Sequence, residues 1–272
     1  MRLLLPVGRA FFAVALVGLG IEHFVFREFV TGRAPPWPAS IPGGVAWAYA
    51  TGIIFVAVGI TILVGRNARH AALLAAALIF VWALLRNIPV VIASAPFSGA
   101  WTRTGKALWF VAGSLAIAAT FPAIQSDRNA PVFRFLNQGD GFIVVARLCL
   151  ALFFIVSGIQ HFIHVEFVVT LIPEWMPGNA VFWTYFAGVA LISGGVGLII
   201  PPIVRLAALL LGLMVFSWFW IVHLPRVFTS VSDAIAIFEA LAVAGLALLI
   251  AGRLSPEVES SPHRPAKVLA GR

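Results

Sequence analysis

Ile21-Glu22-His23-Phe24-Val25-Phe26-Arg27-Glu28-Phe29 returns, 138 positions later, as Ile159-Gln160-His161-Phe162-Ile163-His164-Val165-Glu166-Phe167. The register extends on both sides of this stretch. Arg9, Gly20, Val30, Pro35 and Trp37 meet Arg147, Gly158, Val168, Pro173 and Trp175 at the same offset. After a two-residue deletion the offset becomes 136, and Val45, Trp47, Tyr49 and Gly52 meet Val181, Trp183, Tyr185 and Gly188. Gly59, Arg69, Phe80, Trp82 and Pro89 then meet Gly195, Arg205, Phe216, Trp218 and Pro225. A register held over some eighty residues with one small gap indicates an internal duplication.

The duplicated unit is apolar. The chain is 61% hydrophobic and 10% charged, against about 25% charged in soluble proteins. Runs of about 18 or more uncharged residues are long enough, as helices, to cross the hydrocarbon core of a bilayer. Eight such runs are expected, near 7–26, 45–64, 70–93, 106–124, 142–163, 181–200, 204–224 and 233–252. A bilayer offers no partner for backbone polar groups, so these runs should be helical. Long Leu/Ala/Val/Phe stretches without alternation argue against a membrane barrel. The first run has a second copy at 142–163 and no small-residue cleavage site behind it, so it is expected to be a retained span rather than a signal peptide.

The net charge of +8 does not indicate nucleic acid, because the cations sit at alternate ends of the runs. Twelve fall on the side of the N-terminus, the connections 65–69, 125–141 and 201–205, and the C-terminus: Arg2, Arg9, Arg66, Arg69, Arg128, Arg134, Arg147, Arg205, Arg253, Arg264, Lys267 and Arg272. Six fall opposite: Arg27, Arg33, Arg86, Arg103, Lys106 and Arg226. By the positive-inside rule both termini are expected in the cytoplasm, in a multi-pass protein of the plasma or inner membrane. Each unit contains an even number of spans, so the units should share one orientation, as a parallel repeat. The expected fold is an all-α polytopic membrane protein of eight helices in two parallel four-helix units. These are 1–124 and 142–252, with a polar cytoplasmic linker at 125–141 and a disordered cytoplasmic tail at 253–272.

Ionisable residues inside spans are costly and usually face a bundle interior or a polar cavity. Here the candidates gather toward the outer ends: Glu22 and His23 on the first span, Gln160 and His161 on the fifth, Arg86 and Asn87 on the third, and His223, the equivalent of Asn87, on the seventh. Glu239 lies about two turns into the eighth. These eight side chains are the candidate ligand-binding set. The imidazoles of His23 and His161 either bond a nearby carbonyl or hold a polar ligand head. Arg86 and Glu239 occur in one unit only. They suit an interhelical ion pair, or an outward-running Arg86 stem, or a site kept in one unit after duplication. His161 and His164 share a helical face with His223 in reach of the same end, but no complete metal-ligand set accompanies them, and no metal is expected. The loops Ala34–Pro38 and Ile172–Pro177 carry Trp37 and Trp175, which suit anchoring at the headgroups or a lid. Cys149, the only cysteine, excludes a self-contained dithiol carrier.

The order Gly20-x-x-His23-Phe24, then Pro35-Pro36-Trp37-Pro38 or Pro173-Glu174-Trp175-Met176-Pro177, then Trp-x-Tyr-x-x-Gly (Trp47–Gly52, Trp183–Gly188), then a span ending in Asn87-Ile88-Pro89 or His223-Leu224-Pro225, resembles the DoxX-like membrane proteins. Members are compact four-span units, and this chain looks like two fused together over about 7–252. The resemblance implies a redox-linked membrane subunit with a membrane redox partner; the residues themselves suggest that the outer His/Glu groups would hold a quinone head, with Trp82 and Trp218 either flanking its ring or packing against lipid. It assigns no catalytic residue. A carrier of small molecules or lipids, and a structural subunit without a ligand, are the alternatives the residues leave open. The bilayer is the one partner common to all three.

Overall fold

The computed structural model describes residues 3–30, 35, 37–38, 40–123 and 139–254. Most of the 125–141 linker, the 253–272 tail beyond Leu254, and Ala34 and Pro36 of the first Pro/Trp loop lie outside the described residues. So do seven of the cations used to orient the chain: Arg2, Arg33, Arg128, Arg134, Arg264, Lys267 and Arg272.

Among the described residues there are helices and no strands. Eight are long: α1 Leu4–Phe26, α2 Gly44–Val64, α3 Ala68–Trp82, α4 Gly99–Ala119, α5 Asp140–Ile163, α6 Ala180–Ile199, α7 Val204–Trp218 and α8 Val231–Arg253. Counting the turns that extend α3 and α7, seven helical segments are long and apolar enough to cross a membrane. The chain is therefore a multi-pass membrane protein. The exception is α4. It begins at Gly99, not near 106, and its first two turns carry Thr102, Arg103, Thr104 and Lys106.

Each helix packs on the next in the chain, and α8 packs on α1, so the order of neighbours closes on itself. Small residues set the closest approaches. With no hydrophobic drive between helices in lipid, backbone proximity and dispersion hold them together. A Cβ on Gly20 would lie 2.8 Å from the carbonyl oxygen of Gly52 and 2.9 Å from the nitrogen of Val56. A Cβ on Gly158 would lie 2.7 Å from the Gly188 oxygen and 3.0 Å from the Ile192 nitrogen. The α1/α2 and α5/α6 pairs thus meet through atoms at positions 138 and 136 residues apart in the sequence. Phe24 stacks on Tyr49 at 5.1 Å, and Phe162 on Tyr185 at 5.2 Å.

The most enclosed helix is α8: 89% of its apolar window is buried, against 28–44% for the other candidate spans. Its sequence explains this. Alanine and glycine at 234, 236, 240, 242, 244, 245, 247, 251 and 252 leave a thin cylinder that neighbours can surround. Gly8 and Gly245 face each other across α1/α8, each within 2.7 Å of where the other's oxygen meets an added Cβ. Elsewhere large apolar side chains point outward, Ile53, Leu85, Leu152 and Leu210 among them, as lipid contact requires. Away from the candidate site, Arg69 donates to the carbonyls of Ala118 and Phe121, both at 3.0 Å, and pins the α4 C-terminus.

Candidate functional site

Two prolines shape one end of the bundle. Pro89 and Pro225 lack an N–H, and each ring crowds the carbonyl four residues back, which an α-helix cannot accommodate without distortion. In both places the chain widens into a π turn, Ala83–Asn87 after α3 and Phe219–His223 after α7. Ile88 N–H then bonds the Ala83 carbonyl, and Leu224 N–H that of Phe219. Such turns shift the side chains that follow and are frequent at functional sites. Here Leu84 and Leu85 face outward, while Arg86 and Asn87 turn in, 8% and 3% exposed.

Arg86 does not pair with Glu239, nor does its stem run outward. Its Cζ lies 4.5 Å from the centroid of the Phe29 ring and 5.5 Å from that of Trp37. Phe29 and Trp37 stack nearly parallel, 7° apart, and the edge of Trp82 meets both. The guanidinium is attracted to the ring faces and holds the post-α1 segment over the end of α3. At the 136-residue offset Arg86 corresponds to Val222, which offers no charge. The matching rings there, Phe167 and Trp175, are 64% and 65% exposed. Trp37 therefore stacks on Phe29 at the back of a pocket wall, whereas Trp175 is exposed, although the two loops read alike.

A cavity of about 20 Å³, room for one water-sized group, lies beneath this aromatic wall. Phe29, Thr51, Phe55, Trp82, Asn87 and Ala107 are among its lining residues. Two of the lining residues carry buried donors without an acceptor among the described residues, Trp82 Nε1 and Asn87 Nδ2, and Arg86 Nε and Nη1, one residue before Asn87, are likewise unpaired. His23 is fully buried, with its ring edge-on to Phe29 and Phe55. Its Nδ1 lies 2.6 Å from the Leu19 carbonyl. A carbonyl only accepts, so the proton is on Nδ1 and Nε2 is left as a buried acceptor with no partner.

The other candidates separate. His161 Nδ1 donates to the Ser157 carbonyl at 2.7 Å, the same one-turn bond as His23. Gln160 uses both amide hydrogens and one oxygen lone pair: it accepts from Thr102 Oγ1 at 2.7 Å and donates to Phe97 and Ser98 carbonyls at 2.9 and 3.1 Å. His164 donates to the same Phe97 carbonyl at 3.1 Å. These two clamp the α3–α4 connection onto α5. His223 bonds Asp233 Oδ1 at 2.9 Å, and Arg226 pairs with Asp233 Oδ2 at 3.2 Å. His161, His164 and His223 are thus each committed to different partners. Among the described residues no group of three or more His, Cys, Asp or Glu side chains is placed to hold a metal ion.

Glu239 finds its partner on α4, where Lys106 donates to its Oε2. Its Oε1 and the Oε2 of Glu22 are buried without a hydrogen-bond partner. Glu22 lies within electrostatic reach of Glu239, and His223 within reach of Lys106 and Glu239. Lys106 and Asp233 escaped sequence reasoning. The sequence puts Lys106 at the head of a span beginning at 106, whereas α4 starts two turns earlier and leaves its side chain 17% exposed. The available signal was the lone carboxylate of Glu239, which demanded a cation. Because Ala107 lines the cavity, the charged cluster and the aromatic pocket are adjacent along α4.

Residues 150–252 match a family described as Domain of unknown function (DUF8561), to which this part of the chain is similar. No curated protein and no solved structure matches the chain.

Proposed function

We propose that this chain is a DoxX-like membrane subunit, made of two fused four-helix units, that binds the carbonyl-bearing head of a lipid-soluble ligand of the quinone type. The ligand oxygen enters the cavity beneath Phe29 and Trp37. With both termini cytoplasmic, this pocket opens toward the outer face, and a membrane redox partner supplies or removes electrons. The duplication is supported by the matched glycine contacts and the paired π turns.

One observation carries the ligand proposal: Trp82, Arg86 and Asn87 present buried donors that lack an acceptor. Leaving such a group unpaired costs about 1–3 kcal/mol, so an incoming carbonyl oxygen gains what the empty arrangement forfeits. His23 Nε2 supplies the complementary acceptor for the hydroxyl of a reduced, quinol-type head. The cavity now accepts one oxygen, so Phe29 or Trp37 shifts when a ring binds.

The test uses full-length protein in detergent, solvent-extracted for bound quinone, then titrated with a short-chain quinone by quenching of tryptophan fluorescence. Saturable quenching is expected, weakened about ten- to hundredfold in Arg86→Met, the loss of a charged hydrogen bond, and also weakened in His23→Ala. Wild-type protein with neither bound quinone nor saturable quenching overturns the proposal. Substrate flux in sealed vesicles abolished by Glu239→Gln would favour a carrier. Substitutions that change only folding yield would favour a structural subunit.

A further inference from the structure

We propose that Glu22, Glu239 and Lys106 form a proton-binding site in which the two carboxyl groups hold one proton between them opposite a single ammonium. This site is separate from the Arg86 pocket and does not depend on what that pocket binds.

Glu22 on α1 and Glu239 on α8 are 6% and 3% exposed, on two helices that pack together where the ring of Phe238, the residue before Glu239, lies against Gly18, one turn before Glu22. Each retains one buried oxygen with no hydrogen-bond partner. Lys106 Nζ is bonded to Oε2 of Glu239. With both carboxyls ionised, three charged groups would leave one negative charge uncompensated in a low-dielectric interior. A single proton removes that charge, and an isolated buried charge is the costliest alternative.

Among the described residues no other cation forms an ion pair with Glu22 or Glu239. The α2 helix contributes no charged side chain to the face it shares with α1. On α4, Arg103 lies three residues before Lys106. Its Nε is buried without a partner, and it makes no ion pair among the described residues. From the α7 side come His223 and Arg226, and both are committed to Asp233 of α8. His23, next to Glu22, donates to Leu19, and Arg86, beside Glu28, lies over Phe29 and Trp37.

Loading the site makes one O–H bond and changes the charge of the cluster by one. The proton comes from water and returns to it. His223, within electrostatic reach of Lys106 and Glu239, is hydrogen-bonded to Asp233 on the first turn of α8. The second unit has no counterpart, since Gln160 replaces Glu22 and cannot exchange a proton.

Infrared difference spectroscopy of the full-length protein in lipid nanodiscs, titrated from acid to alkaline pH, reads the protonated-carboxyl stretch directly. One such carboxyl is expected at neutral pH in the wild type. The band should vanish in Glu22→Gln and also in Glu239→Gln, because either change leaves one carboxylate matched to one lysine. Lys106→Met should double it, and Lys106→Arg should leave it unchanged, which keeps the test decisive if the methionine variant does not fold. A wild type without the band, or a band that survives both glutamine substitutions, overturns the proposal.

Discussion

Glycine-to-alanine substitution at Gly59 and Gly195 sets helix propensity against helix contact. In an isolated helix the change favours alanine by about 1 kcal/mol. In this bundle the added methyl at Gly59 would lie 2.6 Å from the Ala13 carbonyl oxygen and 2.6 Å from Val17 Cγ2. At Gly195 it would lie 2.8 Å from the Ala151 oxygen and 2.8 Å from Ile155 Cγ1. A carbonyl oxygen inside a helix cannot retreat alone, so α1 must separate from α2, or α5 from α6, by several tenths of an ångström. Each heavy-atom pair moved off its optimum loses a fraction of about 0.1–0.2 kcal/mol, and several tens of pairs line each interface. Overpacking of this kind costs about 1–3 kcal/mol, more than propensity returns. Both variants should therefore be destabilised, and by similar amounts, because the obstructing atoms match. Thermal unfolding in one detergent, followed by intrinsic fluorescence and by size exclusion, should show Tm falling by about 2–4 °C per kcal/mol. Gly99→Ala, with nothing within 4 Å of its added carbon, is the control and should not fall. An unchanged or raised Tm in both glycine variants would refute the close-contact account. A loss confined to one would refute the equivalence of the two helix pairs.

Asp233→Ala removes the common partner of His223 and Arg226. It should cost about 2 kcal/mol, the value of hydrogen bonds to a charged group, measured as a drop in Tm that Asp233→Asn only partly reproduces. Gln160→Leu releases the Ser98 carbonyl and Thr102 and leaves the Phe97 carbonyl to His164 alone. Hydrogen–deuterium exchange should accelerate over residues 97–102 and leave α1 and α2 unchanged, and unaltered exchange at 97–102 would refute the clamp.

Much of this arrangement was legible in the chain. Apolar run lengths located seven of the expected spans, and Pro89 and Pro225 marked where α3 and α7 depart from regularity. The coincidence of Glu22, His23, Arg86 and Asn87 at one end followed from alternating helix direction. What could not be read was partner choice. Periodicity places Phe29 and Phe167 identically, yet one is buried and the other exposed, because a single side chain, Arg86 rather than Val222, decides whether the rings have a cation to cover. Likewise Lys106 looked like an interfacial charge, since polar residues at the head of α4 lowered its hydropathy and hid two turns of helix. Gln160 looked like a ligand candidate for its position, but its three hydrogen bonds hold a neighbouring connection.

The burial of α8 against α1 bears on how the protein is made. Gly245 is synthesised 237 residues after Gly8, the residue whose backbone it meets. At about 5–20 residues per second, α1 waits roughly ten to fifty seconds in the bilayer with one face uncovered, and Glu22 waits equally long for Glu239 and Lys106 to be joined. Insertion of the early helices therefore cannot be followed by immediate closure. The half-made bundle must be sheltered by lipid, by the insertion machinery or by α2 alone, until the thinnest helix arrives to complete it.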